Sequence, residues 1–212
     1  MALNLAETLK LVLVTDDALV GGRDLVALCQ AAQRGGVTSV QLRLKQANAR
    51  DLASAARTLL AALSIPLFIN DRLDVALAVG AAGVHLGADD LPVALARRIV
   101  PPGFRIGASV GTPEEVGQGI GADYWGVGPL RRTHTKADAG SAIGVDGFAR
   151  IVQLAPAGTP CVAIGGVRPE DVKPVLDAGG AGVAVVRGIL GEEDVEQAAR
   201  EYWSSWLKPR LG

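Results

Sequence analysis

Eight short apolar runs recur along the 212-residue chain, and most neighbouring runs are separated by about the length of one helix. Each run is apolar at nearly every position rather than at alternate positions, which is typical of strands that are covered on both faces. Strands of this kind occur in parallel sheets, where the connecting helices provide the cover. We predict the strands Leu11–Thr15, Ser39–Leu42, Pro66–Ile69, Gly83–Leu86, Arg105–Ala108, Tyr124–Val127, Cys161–Ile164 and Gly182–Val186.

The segments between these runs have the composition and spacing of helices. In Asp51–Leu63 the apolar residues form a single stripe at helical spacing. Pro92, Pro113 and Pro169 each precede a helix-forming segment, as prolines of a first helical turn do. The predicted helices are Leu25–Arg34, Asp51–Leu63, Leu73–Val79, Pro92–Ile99, Pro113–Gly119, Phe148–Leu154, Pro169–Ala178 and Asp194–Leu207.

Four segments share one plan, in which a helix ends in glycine, a tight turn follows and a strand begins. They start at Gly35, Gly80, Gly121 and Gly179, and they precede the second, fourth, sixth and eighth predicted strands. This repeat favours a β/α unit arranged around a closed ring. We therefore predict an α/β fold, a (β/α)8 TIM barrel, as a single domain over residues 1–212. The alternative is an open doubly wound sheet, but "VTDDALVGGRD" after the first strand is not its glycine-rich fingerprint.

The composition narrows the class of protein. Apolar residues make up 49% of the chain and charged residues 20%, with a net charge of −1, so nothing marks the surface for nucleic acid or anionic lipid. No apolar stretch reaches the roughly 18 residues of a membrane span, and the first residues do not resemble an export signal. Cys29 and Cys161 fit neither a metal site nor a disulfide framework, so we expect two buried thiols in a cytoplasmic enzyme. A homo-oligomer is possible, because Trp203 and Trp206 could anchor an interface or equally pack the last helix onto the barrel.

Acidic residues follow two neighbouring predicted strands. Asn70 and Asp71 end the third strand, and Asp90 follows the fourth. Because adjacent parallel strands lie about 4.8 Å apart, both carboxylates can reach one pocket, and the carboxyl ends of barrel strands are where active sites lie. The pair therefore suggests a metal or a phosphate. Alternatively, each aspartate could cap the helix that follows it.

The second strand ends in "VQLRLK", where polar and apolar residues alternate. Gln41, Arg43 and Lys45 therefore point to one side of the strand. Leu42 and Leu44 point to the other. Two cations and an amide at the end of a buried strand favour an anion site, although a solvated surface stretch is the simpler alternative.

Two further loops carry candidate residues. Ser109 ends the fifth strand, which alone is a weak signal. The loop of about residues 128–144 is too long for an ordinary connection, and its hydroxyls and cations suit phosphate binding and a mobile lid, the alternative being a disordered polar insertion. His134 lies in this loop, and His85 on the fourth strand is interpreted as a hydrogen-bonded histidine rather than a general base. The other polar residues of the loop are Arg131, Arg132, Thr133, Thr135 and Lys136.

The last two strands end in "AIGGVRPED" and "VVRGIL". Gly165 and Gly166 let the backbone approach a ligand closely, and Arg187 adds a cation, so this side suits a monophosphate. The other side of the rim, with its carboxylates and cations, suits a diphosphate bridged by Mg²⁺. No Ser-His-Asp set or thiolate nucleophile is evident. The chemistry we expect is electrostatic stabilisation of a departing anion.

The chain resembles the thiamine phosphate synthase family, also called thiamine-phosphate pyrophosphorylases, from about Val12 to Leu190. The segments that carry the resemblance are "QLRLK", "NDRLDVALAVGAAGVHLGADDLP", "IGAS", "GADYWGVGP" with "THTK", "AIGG" and "GVAVV". The resemblance implies a (β/α)8 barrel. It also implies a transferase of thiamine biosynthesis, which joins a pyrimidine diphosphate to a thiazole phosphate and releases pyrophosphate by a dissociative, magnesium-assisted path.

The resemblance also implies roles for individual residues. Arg43, Ser109 and Lys136 are the expected catalytic residues. Asp71 and Asp90 are expected to hold Mg²⁺. The contacts expected for the pyrimidine diphosphate are Gln41, Arg43, Lys45, Asn70, Ser109 and Lys136. Those expected for the thiazole phosphate are Thr133, His134, Thr135, Gly166, Val186 and Arg187.

Three departures from the family pattern stand out. Leu44 replaces an acidic residue and should point away from the ligand. Arg131-Arg132 replaces an apolar residue and proline, which could loosen or recharge the lid. Arg187 replaces a serine. Two rival functions therefore stay open: a thiazole phosphate tautomerase on the same barrel, and a ligand-sensing regulator that has lost its chemistry.

Overall fold

Eight parallel strands close into a barrel in the computed structural model, which describes residues 4–133 and 140–207. Each strand pairs with its neighbours in sequence, and the first pairs with the last. The predicted (β/α)8 barrel is thereby confirmed, whereas the extent of the domain over residues 1–212 stays a prediction. The strands are β1 (Leu11–Val14), β2 (Ser39–Leu42), β3 (Leu67–Asn70), β4 (Gly83–Leu86), β5 (Arg105–Ser109), β6 (Tyr124–Val127), β7 (Cys161–Ile164) and β8 (Gly182–Val185).

The strand boundaries differ from the predicted ones by single residues. Pro66 lies just before β3, since proline has no N–H to give to the ladder. Val186 leaves β8 because its backbone turns to ψ −85°. Thr15 follows β1 but still donates its N–H to β2. Asn70 and Ser109 are the last residues of β3 and β5, so both lie at the carboxyl rim of the barrel.

Every predicted helix is present, and among the described residues three short helices were not predicted: Leu5–Thr8 (α1), Asp17–Val20 (α2) and Arg187–Leu190 (α10). Pro113 and Pro169 begin 3₁₀ turns, Pro113–Glu115 and Pro169–Asp171, that lead into the helices Val116–Gly119 (α7) and Val172–Asp177 (α9). Pro92 is the N-cap of the helix Val93–Ala96 (α6) rather than its first residue, which corrects the prediction. The helices are α1 (Leu5–Thr8), α2 (Asp17–Val20), α3 (Leu25–Arg34), α4 (Ala49–Ala62), α5 (Leu73–Val79), α6 (Val93–Ala96), α7 (Val116–Gly119), α8 (Gly144–Leu154), α9 (Val172–Asp177), α10 (Arg187–Leu190) and α11 (Val195–Leu207).

The barrel has two separate apolar cores. The larger one lies between the strands and the surrounding helices and includes Trp125 and Phe148. Cys29 and Cys161 belong to it as free, buried thiols, as expected, and burial raises their pKa to about 12 and about 11. The smaller core fills the inside of the barrel with Leu9, Val12, Val14, Phe68, Tyr124, Val162 and Ala184.

The repeated glycine turns adopt left-handed backbone at the predicted places. Gly80, Gly121 and Gly179 have φ values of 71°, 87° and 87°. In the first copy Gly36, with φ 109°, takes this conformation, whereas Gly35 is helical. Left-handed backbone favours glycine because other residues place Cβ too close to the chain.

The last helix, α11, packs against the outside of the barrel. A Cβ built on Gly36 would lie 2.7 Å from the Trp203 ring, and the Trp206 indole N–H donates to the Lys10 carbonyl at 3.0 Å. Both tryptophans therefore pack α11 onto the barrel, which favours the second of the two alternatives. Within the part of the chain that the structure describes, no helix combines the length and apolarity needed to cross a bilayer.

Candidate active site

A cavity of about 770 Å³ opens at the carboxyl ends of the strands. Its walls include every predicted site residue that the structure describes. His134, Thr135 and Lys136 lie outside the described residues, so their predicted roles stay predictions. The predicted residues that line the cavity are Gln41, Arg43, Lys45, Asn70, Asp71, Asp90, Ser109, Thr133, Gly166, Val186 and Arg187.

The two predicted acids lie side by side at the mouth of the barrel. Asp71 follows β3 with φ 63°, and its backbone N–H donates to the His85 carbonyl at 2.8 Å. Asp90 lies in the loop after β4, where one carboxylate oxygen accepts the Gly87 N–H at 2.7 Å. The Asp71 carboxyl lies near enough to Asp90 to raise its pKa, and both residues line the cavity. This places them at one pocket, as strand geometry predicts.

The alternative role of these acids, as helix caps, is wrong. The N-caps of α5 and α6 are Arg72 and Pro92, and neither helix has a side-chain cap. Burial raises the pKa of Asp90, and the nearby Asp71 carboxyl raises it further. Asp71 also lies 2.6 Å from the Lys45 ammonium group. The site therefore holds two neighbouring carboxyl groups with one cation, the Lys45 ammonium group, beside Asp71.

The acid pair fits one common mode of magnesium binding. Among residues 4–133 and 140–207 there is no cluster of three or more His, Cys, Asp or Glu side chains that would hold a metal unaided. Mg²⁺, however, is usually bound through one or two carboxylates together with substrate phosphates and water. Asp71 and Asp90 would supply the two carboxylates of such a site, and a phosphate-bearing substrate would have to complete it.

The end of β2 presents its polar residues to this pocket as the alternation predicted. The Gln41 amide donates to the Asn70 amide oxygen at 2.7 Å. Gln41 is buried, so this bond fixes the orientation of both amides. Leu42 lies in the outer core and Leu44 packs against it. Leu44 therefore points away from the pocket, as expected.

Sequence reasoning missed the acids that hold this strand end. Asp16, the N-cap of α2, forms an ion pair with Arg43 at 3.0 Å. Asp17 accepts the Lys45 backbone N–H at 2.7 Å, and the Thr15 hydroxyl accepts that of Arg43 at 2.8 Å. The signal was present in "TDD" at the end of β1, because acids at a strand end were the same feature that identified Asp71 and Asp90.

His85 is a buried, hydrogen-bonded residue, as interpreted from the sequence. Its Nε2 lies 3.1 Å from the Ser109 hydroxyl and its Nδ1 lies 3.1 Å from the Tyr124 hydroxyl. Ser109 lines the cavity, whereas Tyr124 lies below it inside the barrel. The contact gives Ser109 a second connection to the barrel interior beyond its own strand.

The opposite wall is built from the loops after β6, β7 and β8. Gly165 and Gly166 have φ values of 92° and 64°, which only glycine adopts at low cost. A Cβ on Gly166 would lie 2.9 Å from Arg131 Cβ, so the loop after β6 rests directly on this glycine. Arg132 and Arg187 are exposed and line the cavity here. This wall therefore carries positive charge, and its glycines leave the backbone accessible from the cavity.

Arg131 is held at both its backbone and its side chain, but residues 134–139 of the loop lie outside the described residues, so the expectation that Arg131 and Arg132 could loosen or recharge the lid stays a prediction. Its backbone N–H donates to the Gly165 carbonyl at 2.8 Å. Its guanidinium donates two bonds, at 2.8 and 2.6 Å, to the buried carboxylate of Asp171. The sequence did not predict this carboxylate, which lies across the loop from Arg131.

A family model described as thiamine monophosphate synthase matches residues 11–189 of this chain. The chain belongs to this family. It is 49% identical over 197 residues to the thiamine-phosphate synthase of Azorhizobium caulinodans, with 91% of this chain and 92% of the relative covered. It is 46% identical over 195 residues to that of Methanoculleus marisnigri, with 90% and 92% covered.

Solved structures agree with this membership of the thiamine monophosphate synthase family. The thiamine phosphate pyrophosphorylase from Pyrococcus furiosus matches with a TM-score of 0.83 at 37% identity, covering 95% of this chain and 97% of that one. A 3-hexulose-6-phosphate synthase matches with a TM-score of 0.69 at 18% identity, covering 92% and 99%, a likeness of fold alone. The predicted family and the prediction of an enzyme of the transferase class are confirmed.

The ion pair between Arg131 and Asp171 is expected to stabilise the fold in a pH-dependent way. Burial acts to raise the pKa of Asp171, but the bonds from Arg131 and the Arg168 N–H outweigh it, so the pKa is lowered. Asp171→Asn should therefore reduce the free energy of unfolding at neutral pH. The expected loss is only about 1 kcal/mol, because solvent screens the half-exposed guanidinium of Arg131. This loss should shrink below about pH 4, as Asp171 of the wild type is protonated through its lowered folded-state pKa.

Urea unfolding of wild type and variant between about pH 8 and pH 3 measures this difference. The matched control is Asp177→Asn, which breaks the exposed Lys173–Asp177 pair of 2.7 Å. It should change the free energy of unfolding by less than about 0.5 kcal/mol. A deficit in Asp171→Asn that stays constant down to the lowest pH would show that the carboxylate charge is not the cause.

Proposed function

We propose that this chain is a thiamine phosphate synthase. It joins 4-amino-5-hydroxymethyl-2-methylpyrimidine diphosphate to a thiazole phosphate, giving thiamine monophosphate and pyrophosphate. The observation that carries the proposal is the single cavity in which the paired carboxylates of Asp71 and Asp90 meet cations from β2 on one wall and face a glycine-rich, cationic wall on the other. Its volume, about 770 Å³, suits two small substrates held together.

The pyrimidine diphosphate binds on the wall formed by β2 to β5. Gln41 and Asn70, locked to each other, offer amide groups to the pyrimidine ring. Arg43 and Lys45 offer cations to the diphosphate, and their backbone and side-chain bonds to the β1 loop hold them in place. Lys136, from the loop outside the described residues, is assigned to the same group.

Mg²⁺ would be held by Asp71 and Asp90. The donor set fits this ion, because both donors are carboxylates and the diphosphate can supply further oxygens. When bound, the ion neutralises part of the charge on the diphosphate. The pKa of Asp90, raised first by burial and then by the Asp71 carboxyl, is consistent with this assignment, since a cation would stabilise two charged carboxylates at one site.

The thiazole phosphate binds on the wall formed by the loops after β6 to β8. Gly166, Val186 and Thr133 bring backbone and hydroxyl groups to the cavity, and Arg187 brings a positive charge. His134 and Thr135 are assigned here on the family pattern. On this assignment the phosphates of the two substrates lie apart, with their reacting ends between them.

The reaction begins with cleavage of the C–O bond between the pyrimidine methylene group and the diphosphate, whose oxygen keeps the electron pair. The aminopyrimidine ring donates electrons to the methylene carbon, and the thiazole nitrogen then attacks that carbon to form the new C–N bond. Negative charge grows on the departing pyrophosphate. Arg43, Ser109 and Lys136 stabilise this charge by electrostatic contacts and hydrogen bonds.

A condensation assay tests the proposal. The purified protein is incubated with both substrates and Mg²⁺, and thiamine monophosphate and pyrophosphate are measured. Formation of both products in equal amounts is the expected result. Isomerisation of the thiazole phosphate without joining would instead identify a tautomerase, and binding of either substrate without turnover would identify a regulator.

Arg187→Ser tests the assignment of the phosphate wall. Losing a charge-assisted bond to an exposed cation should raise the KM for thiazole phosphate by about fivefold, with little change in kcat. Steady-state kinetics at saturating pyrimidine diphosphate measures this. Arg57→Ser is the control, because Arg57 is exposed on α4. An unchanged KM in Arg187→Ser would remove Arg187 from the phosphate site.

A further inference from the structure

A hydrogen-bonded chain of three side chains runs from the inside of the barrel to the cavity. We propose that Tyr124 is a positioning residue, which through His85 directs the hydroxyl proton of Ser109 into the cavity. The Tyr124 hydroxyl donates to His85 Nδ1, so His85 carries its proton on Nε2 and donates it to Ser109. The Ser109 hydroxyl then donates its own hydrogen bond to the substrate.

The chain of contacts is fixed by strand register. His85 on β4 pairs with Gly107 on β5, and Gly107 pairs with Tyr124 on β6. The three side chains therefore stand on the inner face of three consecutive strands. The two bonds are each 3.1 Å, and Tyr124 and His85 are 4% and 7% exposed, so water does not compete for them.

The direction of the bonds follows from the phenol. Within the described ranges, 4–133 and 140–207, the Tyr124 hydroxyl has one hydrogen-bond partner, which is His85 Nδ1. If Nδ1 carried the proton, the phenol O–H would have no acceptor among the described residues, which is unfavourable because burial also removes this donor from water. Burial also raises the pKa of Tyr124, so the phenol keeps its proton and stays a donor. The bond therefore runs from Tyr124 to His85.

The barrel makes room for these rings with two glycines. A Cβ on Gly107 would lie 2.2 Å from the Tyr124 ring, and a Cβ on Gly126 would lie 2.9 Å from the His85 ring. Both glycines are in strands, where glycine weakens the sheet unless close packing requires it. Here the packing requires it, and the rings can shift little. This fixes the geometry on which the direction of the bonds depends.

The consequence for recognition rests on the proposed function. A Ser109 hydroxyl that accepts from His85 has its proton left to donate, and the cavity is the side on which it is exposed to ligand. The group it meets must therefore be an acceptor, such as a diphosphate oxygen or a pyrimidine ring nitrogen.

The wild-type tautomer is the first test, and it needs no activity. The chain has two histidines, so their imidazole nitrogens can be observed by ¹⁵N–¹H NMR and assigned with a His134→Gln sample. The pattern of two-bond couplings should identify His85 as the Nε2–H tautomer. A neutral Nδ1–H ring or a doubly protonated ring would overturn the proposal.

Tyr124→Phe is the second test. It keeps the ring and removes the donor, so His85 should lose its single tautomer, and the melting temperature should fall by only a few degrees. The KM for pyrimidine diphosphate should rise about tenfold, the lower end of the range for removing an orienting partner. Adding Ser109→Ala to Tyr124→Phe should raise this KM little further, because both substitutions remove the same contact between the Ser109 hydroxyl and the substrate. A purely structural role would leave the tautomer unchanged and the two effects independent, which would contradict the proposal.

Discussion

Asp71→Ala and Asp90→Ala are each expected to lower kcat by a factor of about 10²–10³, by analogy with removal of one preorganised contact to a developing anion. Each should also weaken the dependence of the rate on Mg²⁺ concentration. The reason is that the two carboxyl groups interact with each other and line the same mouth of the barrel. Titration of the rate with Mg²⁺, at saturating substrates, measures both effects.

The matched control is Asp74→Asn. Asp74 is an exposed carboxylate on α5, paired with Arg72 at 2.5 Å and outside the cavity. Removing it should leave the rate and its Mg²⁺ dependence unchanged. Asp71→Asn and Asp90→Asn separate charge from size, because they keep the side-chain shape. Full activity of either asparagine variant in the presence of excess chelator would contradict the metal assignment.

The barrel could be predicted from the sequence because its signals are local. Continuous apolar runs mark strands covered on both faces, and the repeated glycine turns mark where helices end and strands begin. The errors are local too. Helix α8 begins at Gly144, four residues before the predicted start at Phe148. Glycine has a low helix propensity, so the sequence does not mark this first turn, in which Gly147 packs closely on Ile143. Short helices such as α10 have too few residues to show a period.

The site was predicted where strand ends carried chemistry, and missed where pairs form across loops. Asp71 and Asp90 could be found because strand geometry alone brings neighbouring strand ends together. The Arg131–Asp171 pair joins residues that are 40 positions apart, and no local pattern marks it. Tyr124 was missed because an inward-facing aromatic in a strand looks like ordinary core.

Gly107→Ala is expected to destabilise the protein by about 1–3 kcal/mol, the usual cost of overpacking a core. Its Cβ would lie 2.2 Å from the Tyr124 ring, inside a barrel where neither can move far. The same change should also displace His85, through its bond to Tyr124, and so lower activity. Urea unfolding at neutral pH measures the stability change, and the condensation assay measures the second effect.

The control is another glycine-to-alanine change with the opposite expected sign. Gly117 is exposed in α7, and a Cβ there has no atom within 4 Å. Gly117→Ala should therefore stabilise the protein by about 0.5–1 kcal/mol through helix propensity. Combining Gly107→Ala with Tyr124→Leu should recover part of the lost stability, because the clashing ring is gone. If the effects of the two substitutions on the free energy of unfolding were simply additive, a clash between the new Cβ and the Tyr124 ring would not be the cause of the lost stability.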